Sequence, residues 1–173
     1  MDISSVLESG DVLRFHAVPG MTPQKLSEHQ WGVAVLLEYL YDKEVNKNHL
    51  MYALTHDCTE MITGDIPATI KWQEVELANI LKGIENKFVA KWGINYADKI
   101  PTTLPIKICD CLEGMNYCLN RVMQGEIAAC SVFWKWSDFL NDLDLETKAV
   151  EFKVHLTMSM EYLGYEREKY ATS

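Results

Sequence analysis

The chain lacks the marks of a membrane or secreted protein. It has no apolar run of about 18 residues or more, and Met1-Asp2-Ile3-Ser4-Ser5 shows neither the basic region nor the apolar stretch of a secretory leader. A soluble protein that does not meet a membrane is expected. The cysteines, Cys58, Cys109, Cys111, Cys118 and Cys130, are odd in number and four fall inside helix-like patterns, which argues against a disulfide framework and for a reducing compartment. Cys109 and Cys111 stand two residues apart in a helical pattern and so project to different sides, which reads as small core thiols rather than a zinc clamp. Also missing are a Gly-rich phosphate loop, a Gly-x-Ser-x-Gly elbow and a Cys-x-x-Cys pair. If this protein binds phosphate, side chains and a metal must do it.

Positive charge is scarce as well. Sixteen Lys and Arg stand against 25 Asp and Glu, for a formal net charge of -9. That balance excludes extended binding along a nucleic-acid polymer, which needs clustered cations. A small phosphate ester needs only one or two.

What is present is helical patterning over nearly the whole length, with Pro and Gly falling between the periodic segments, so the expected fold is all-α, a compact helical bundle forming a single domain over residues 1–173. A first helix is expected over about 3–13 with Val6, Leu7 and Val12 or Leu13 inward, followed by a surface loop at Pro19-Gly20-Met21-Thr22-Pro23. Ser27 and Gln30 suggest a capping box opening a second helix, with Val33, Leu36, Leu37 and Leu40 on its apolar face. Further helices are expected over about 48–59 (Leu50, Met51 and Leu54 inward), 73–92 (Val75, Leu77, Ile80, Leu81, Ile84, Phe88 and Val89 inward, Gly93 as stop), 106–123, 126–140 and 145–165. Residues 100–105 read as a connector, with Pro105 opening the next helix. Trp134, Trp136 and Phe139, with Val150, Val154, Leu156 and Met160, read as core or subunit interface, which hints at a homo-oligomer.

Four polar residues sit in apolar company. His56 and Asp57 lie side by side at the end of an apolar run, and a carboxylate there is costly unless paired, hydrogen-bonded or coordinated. His29 falls in the first turn of the second helix and Asp110 among the apolar residues of the fifth. Singly, a histidine of this kind is ordinarily a surface residue and such an aspartate a solvated edge. Together they would supply two imidazoles and two carboxylates, a donor set suited to a first-row divalent ion.

In order, Ser27-Glu28-His29, His56-Asp57-x-x-Glu60, Thr63-Gly64-Asp65-Ile66-Pro67 and Asp110 resemble the HD-domain metal-dependent phosphohydrolases. With Arg14-Phe15 and Lys71 added, the pattern is similar to the bacterial 5'-deoxynucleotidases and to compact phage deoxynucleoside-triphosphate hydrolases, the dATP triphosphohydrolases among them. The resemblance runs from about residue 13 to 119. It implies metal ligands His29, His56, Asp57 and Asp110, holding Co, Mn, Zn, Mg or Fe. It assigns Glu60, beside Asp57, to handling water or its proton, and Asp65 to the sugar 3'-hydroxyl. Arg14, by its planar fork, and Lys71, as a point charge, would meet phosphate, and Phe15 would wall the nucleoside. His16, Trp31, Ile66 and Trp72 stay open between the same role and core packing.

The implied substrate is a deoxynucleotide, in the cytoplasm of a bacterium or phage-infected cell. A triphosphohydrolase releasing triphosphate and deoxynucleoside is the preferred expectation, dATP being one candidate. A 5'-deoxynucleotidase acting on monophosphates is the alternative, and a non-catalytic nucleotide-binding module a third reading.

Overall fold

The computed structural model describes residues 2–93 and 104–170. Among them the fold is helical, with one two-stranded hairpin. Helix α1 (Ile3–Ser9) is capped by Asp2, whose carboxylate accepts from the Ser5 amide. Strands β1 (Leu13–Arg14) and β2 (Gln24–Lys25) then pair antiparallel, Leu13 opposite Lys25 and Arg14 opposite Gln24. The pleat sends Arg14 and Gln24 inward together and leaves Leu13 and Lys25 outside.

Helix α2 (Leu26–Tyr41) follows β2 directly, and a 3₁₀ turn (Asp42–Glu44) leads to α3 (Lys47–Ala53). Asn46 caps α3 with His49 as its reciprocal partner. Short helices α4 (Glu60–Thr63) and α5 (Ala68–Gln73) precede α6 (Val75–Lys91). Helix α7 (Leu104–Met123) packs against α2, α8 (Ala129–Asn141) and α9 (Thr147–Tyr162), and α10 (Arg167–Tyr170) lies on α8. Because α7 is covered on several sides, Ile108, Cys109, Cys111, Leu112, Met115 and Cys118 are all buried. Cys109 and Cys111 are therefore core thiols on different flanks of one central helix. All five cysteines are buried, and none is in a disulfide.

Several expectations need correction. The first helix ends at Ser9, not near 13, because residues 13 and 14 are drawn into the hairpin, and Leu7 is 71% exposed. Ser27 does not cap α2. Lys25 occupies the N-cap position with no side-chain bond, and Gln30 is buried rather than reaching back. The third helix stops at Ala53, with Met51 and Leu54 exposed. Of the apolar face expected over 73–92, Leu81 is buried and Leu77, Ile84, Phe88 and Val89 are half-buried while Val75 and Ile80 face solvent, and the segment is broken at Glu74 into α5 and α6. Periodicity names a face, but it does not say that anything covers it. Val150 and Val154 are likewise exposed, whereas Trp134, Trp136, Leu156 and Met160 are buried. The expected connector falls mostly outside the described residues, as does the side chain of Trp72.

Candidate active site

Two of the candidate ligands arise from the way the chain leaves α3. Thr55 bonds back through its amide to Tyr52, Cys58 to Thr55, Glu60 to Asp57 and Met61 to Cys58, a succession of i to i+3 bonds. Winding with three residues per turn stacks side chains three apart on one face. Asp57 and Glu60 therefore both line the same cavity. The run closes at Gly64, whose φ of 72° is costly for other residues, and its amide bonds the Glu60 carbonyl.

His29 comes from the first turn of α2 and is fully buried, and Asp110 comes from the second turn of α7 with its side chain largely buried. One ligand atom from each of His29, His56, Asp57 and Asp110 can be chosen so that all lie within 4.8 Å of one another. The donor set fits a divalent ion, and the imidazoles are already set for it. His56 Nδ1 donates to the Ala53 carbonyl at 2.8 Å, and His29 Nδ1 is bonded to Glu113. Both Nε2 atoms are buried without a hydrogen-bond partner, facing Asp110 at 3.2 Å and Asp57 at 3.3 Å respectively. Two orphaned ring nitrogens aimed at two carboxylates is what a ligand shell requires of its neutral histidines.

The electrostatics follow from burial and crowding. Burial would raise Asp110, but Lys107, His29 and Arg14 hold it well below the usual carboxylate range. Asp57 behaves the same way, burial being outweighed by His56. Burial would lower His56, yet Asp57 raises it. Glu60 goes the other way, pushed up to about 9 by burial and then by Asp57, against the pull of Arg14 and Lys71. Arg14 is buried, with one guanidinium nitrogen 3.3 Å from Asp110 and another 3.7 Å from Glu113. Lys71 lies 3.7 Å from Glu60.

The cluster opens into a cavity of about 630 Å³. Arg14, Phe15, Asp57, Glu60, Asp65, Lys71 and Asp110 all line it, as does Ile66. His16 instead turns its Nδ1 to the Leu13 carbonyl, and Trp31 lies on a separate groove along α2, 66% exposed. Several lining residues escaped the sequence reading. Lys107, 3.1 Å from Asp110, and Lys135 add cations to the wall, and Trp136 adds an aromatic surface where core or subunit interface was expected. The signal for Lys107 was available, since it stands three residues before Asp110 on one helix face.

Phe15 turns the chain at a φ of 60°, a strained conformation for a bulky residue. Its amide donates to Asp65 Oδ2 at 3.0 Å, and its ring stacks on Tyr117 at 5.6 Å. Asp65→Ala should thus destabilise the fold by about 1–3 kcal/mol, the cost of orphaning a part-buried amide. Asp65→Asn keeps an acceptor and should cost less. Thermal unfolding of the two variants checks this, and equal losses would mean that the bond to Phe15 carries none of the effect.

Residues 11–115 match the family model described as 5'-deoxynucleotidase YfbR-like. Among curated proteins, a dATP triphosphohydrolase of Salmonella phage PMBT28 is 31% identical over 126 residues, covering 64% of this chain and 62% of that protein. A 5'-deoxynucleotidase of Vibrio atlanticus (strain LGP32) is 27% identical over 82 residues, covering 43% and 42%. The chain thus spans less than two thirds of the length of these relatives. The fold is shared with a Cyanophage S-2L HD phosphohydrolase (DatZ) bound to dA and one catalytic Zn2+ ion, with a TM-score of 0.61 over 94% of this chain and 96% of that one, at 22% identity.

Proposed function

Because the chain belongs to the YfbR-like 5'-deoxynucleotidase family, we propose that it is a metal-dependent hydrolase of deoxynucleotides, and that its substrate is a deoxynucleoside triphosphate such as dATP. One observation carries the choice of triphosphate. The cavity beside the ligand cluster is walled by four cationic side chains, Arg14, Lys71, Lys107 and Lys135, contributed by four separate elements. One phosphoryl group at the cluster would engage only the nearest of these, whereas a chain of three gives the others a role.

His29, His56, Asp57 and Asp110 would hold the divalent ion, which when bound acts as a Lewis acid on a phosphoryl oxygen. Glu60 accepts a proton from the attacking water. With the charge of Asp57 committed to a cation, the second cause of its raised pKa falls away, and Arg14 and Lys71 draw it toward the ionised form. Water adds to the α phosphorus, the bond to the 5'-oxygen breaks, and that oxygen leaves with a proton as the deoxynucleoside hydroxyl. Triphosphate is the other product. Asp65, one oxygen engaged by the Phe15 amide, has its second available to accept from the sugar 3'-hydroxyl. Phe15, Val18, Pro19, Ile66 and Pro67 form the apolar end of the cavity where a nucleoside packs.

The 5'-deoxynucleotidase reading is supported by the family match and breaks the same bond. It differs only in what the phosphorus carries. Purified protein incubated with dATP and with dAMP, each with Mn2+ or Co2+, separates the cases when products are resolved by ³¹P NMR. Tripolyphosphate from dATP is expected. Orthophosphate from dAMP alone would replace this reading with the nucleotidase, and no turnover with either would leave a nucleotide-binding module.

We read residues 1–173 as one domain acting in the cytoplasm of a bacterium or phage-infected cell. Five cysteines outside any disulfide support that compartment. We also favour a homo-oligomer, for a reason other than the aromatics of α8, which are largely inside. Trp31, Val35 and Tyr39 form an exposed stripe on α2 instead.

A further inference from the structure

Glycine in the interior of a helix weakens it relative to alanine. Gly32 sits in the second turn of α2 and shows no positive φ to account for it. Its reason is space. A Cβ built there would lie 2.6 Å from Cγ of Glu113 and 3.3 Å from its Cδ, closer than carbon atoms approach. The missing side chain is the room in which a carboxylate of α7 is seated.

That carboxylate is buried and surrounded by donors. Gln24 Nε2 donates to one oxygen at 2.7 Å, the Arg14 guanidinium lies 3.7 Å from the other, and His29 Nδ1 bonds to that second oxygen. With an amide donor on one side and a guanidinium on the other, Glu113 is the acceptor toward His29. The ring must then carry its hydrogen on Nδ1, which leaves the Nε2 lone pair for the cluster of His29, His56, Asp57 and Asp110. Gln24 and Arg14 reach Glu113 because they are cross-strand partners on the inner side of the hairpin.

We propose that Glu113, seated against Gly32 and held by Gln24, is the positioning residue of the metal centre, fixing the tautomer and orientation of His29 without touching substrate or ion. The inference rests on the metal-centre reading of the four ligands. Its consequence is that a methyl group added at Gly32, a residue of α2 that is no ligand, weakens metal binding.

The test uses the full chain stripped of metal and titrated calorimetrically with Mn2+ alone. Glu113→Ala and Gly32→Ala should each weaken binding about 10- to 100-fold, the range for loss of an outer-shell partner. Glu113→Gln, which keeps an acceptor but not the charge, should fall between them and the unaltered protein. A second readout is the ¹⁵N imidazole spectrum of the metal-free protein. His29 should be protonated at Nδ1 and bare at Nε2, and Gly32→Ala should shift it toward a mixture of tautomers. Should the alanine at 113 fail to fold, Gly32→Ala and Glu113→Gln still decide. Mn2+ affinity unchanged within twofold in these variants, or a His29 that carries its hydrogen on Nε2, would overturn the proposal. No Mn2+ binding by the unaltered protein would instead sink the metal-centre reading beneath it.

Discussion

Asp57→Ala is expected to abolish bound divalent metal and to lower turnover by more than about a thousandfold, since the ion supplies the electrophilic assistance. The effect should exceed that of any other single change in the cavity, for a geometric reason. Asp57 faces both imidazoles, its carboxylate 3.3 Å from His56 Nε2 and 3.8 Å from His29 Nε2, so its loss removes a ligand and the charge that both rings face. Metal content by atomic emission and kcat on dATP are the two measurements. Full activity in this variant would refute the metal-centre reading. Retained metal with lost activity would move Asp57 from ligand to catalytic group.

Glu60→Gln should separate the two roles in the opposite sense. Glu60 is not among the four clustered ligands, so metal affinity should change little while kcat falls by about 10²- to 10⁴-fold, the usual worth of a general base. The same variant carries a pH signature. A carboxyl that is 4.5 ordinarily and about 9 in the metal-free fold keeps its proton in the native state over a range where the unfolded chain has lost it. Its neutral form therefore contributes stability that is fully present below pH 4.5 and is lost as pH rises toward about 9. Metal-free protein should lose thermal stability across that interval, and Glu60→Gln should flatten the slope because glutamine cannot ionise. Identical slopes in the two proteins would show that the Glu60 carboxyl is not held up by its surroundings.

How far the sequence could be read depended on what each residue needed from its neighbours. His29, His56, Asp57 and Asp110 were legible because the order of short motifs carried them, and the fold brings all four together. The helical class was legible from periodicity. Glu113 was not. Read alone it is one more acid on α7, and its meaning lies in a glycine 81 positions earlier and a glutamine in a two-residue strand, a relation that no spacing rule contains. The hairpin was hidden for a related reason, since two residues are too few to show alternation. Val75 and Ile80 erred the other way, an apolar face being predicted where nothing among the described residues covers them.

The tight turns between α3 and α4 set a limit on how this protein can vary. In a segment wound at three residues per turn, the stretch joining Asp57 to Glu60 works like a gear with a fixed number of teeth. Side chains at 58 and 59 can be exchanged within the limits of packing, but one inserted or deleted residue would rotate Glu60 by about a third of a turn and aim it away from Asp57. Length, more than composition, is the quantity held constant there. In a library of variants, length changes should be purged from these four positions while substitutions at the intervening two persist.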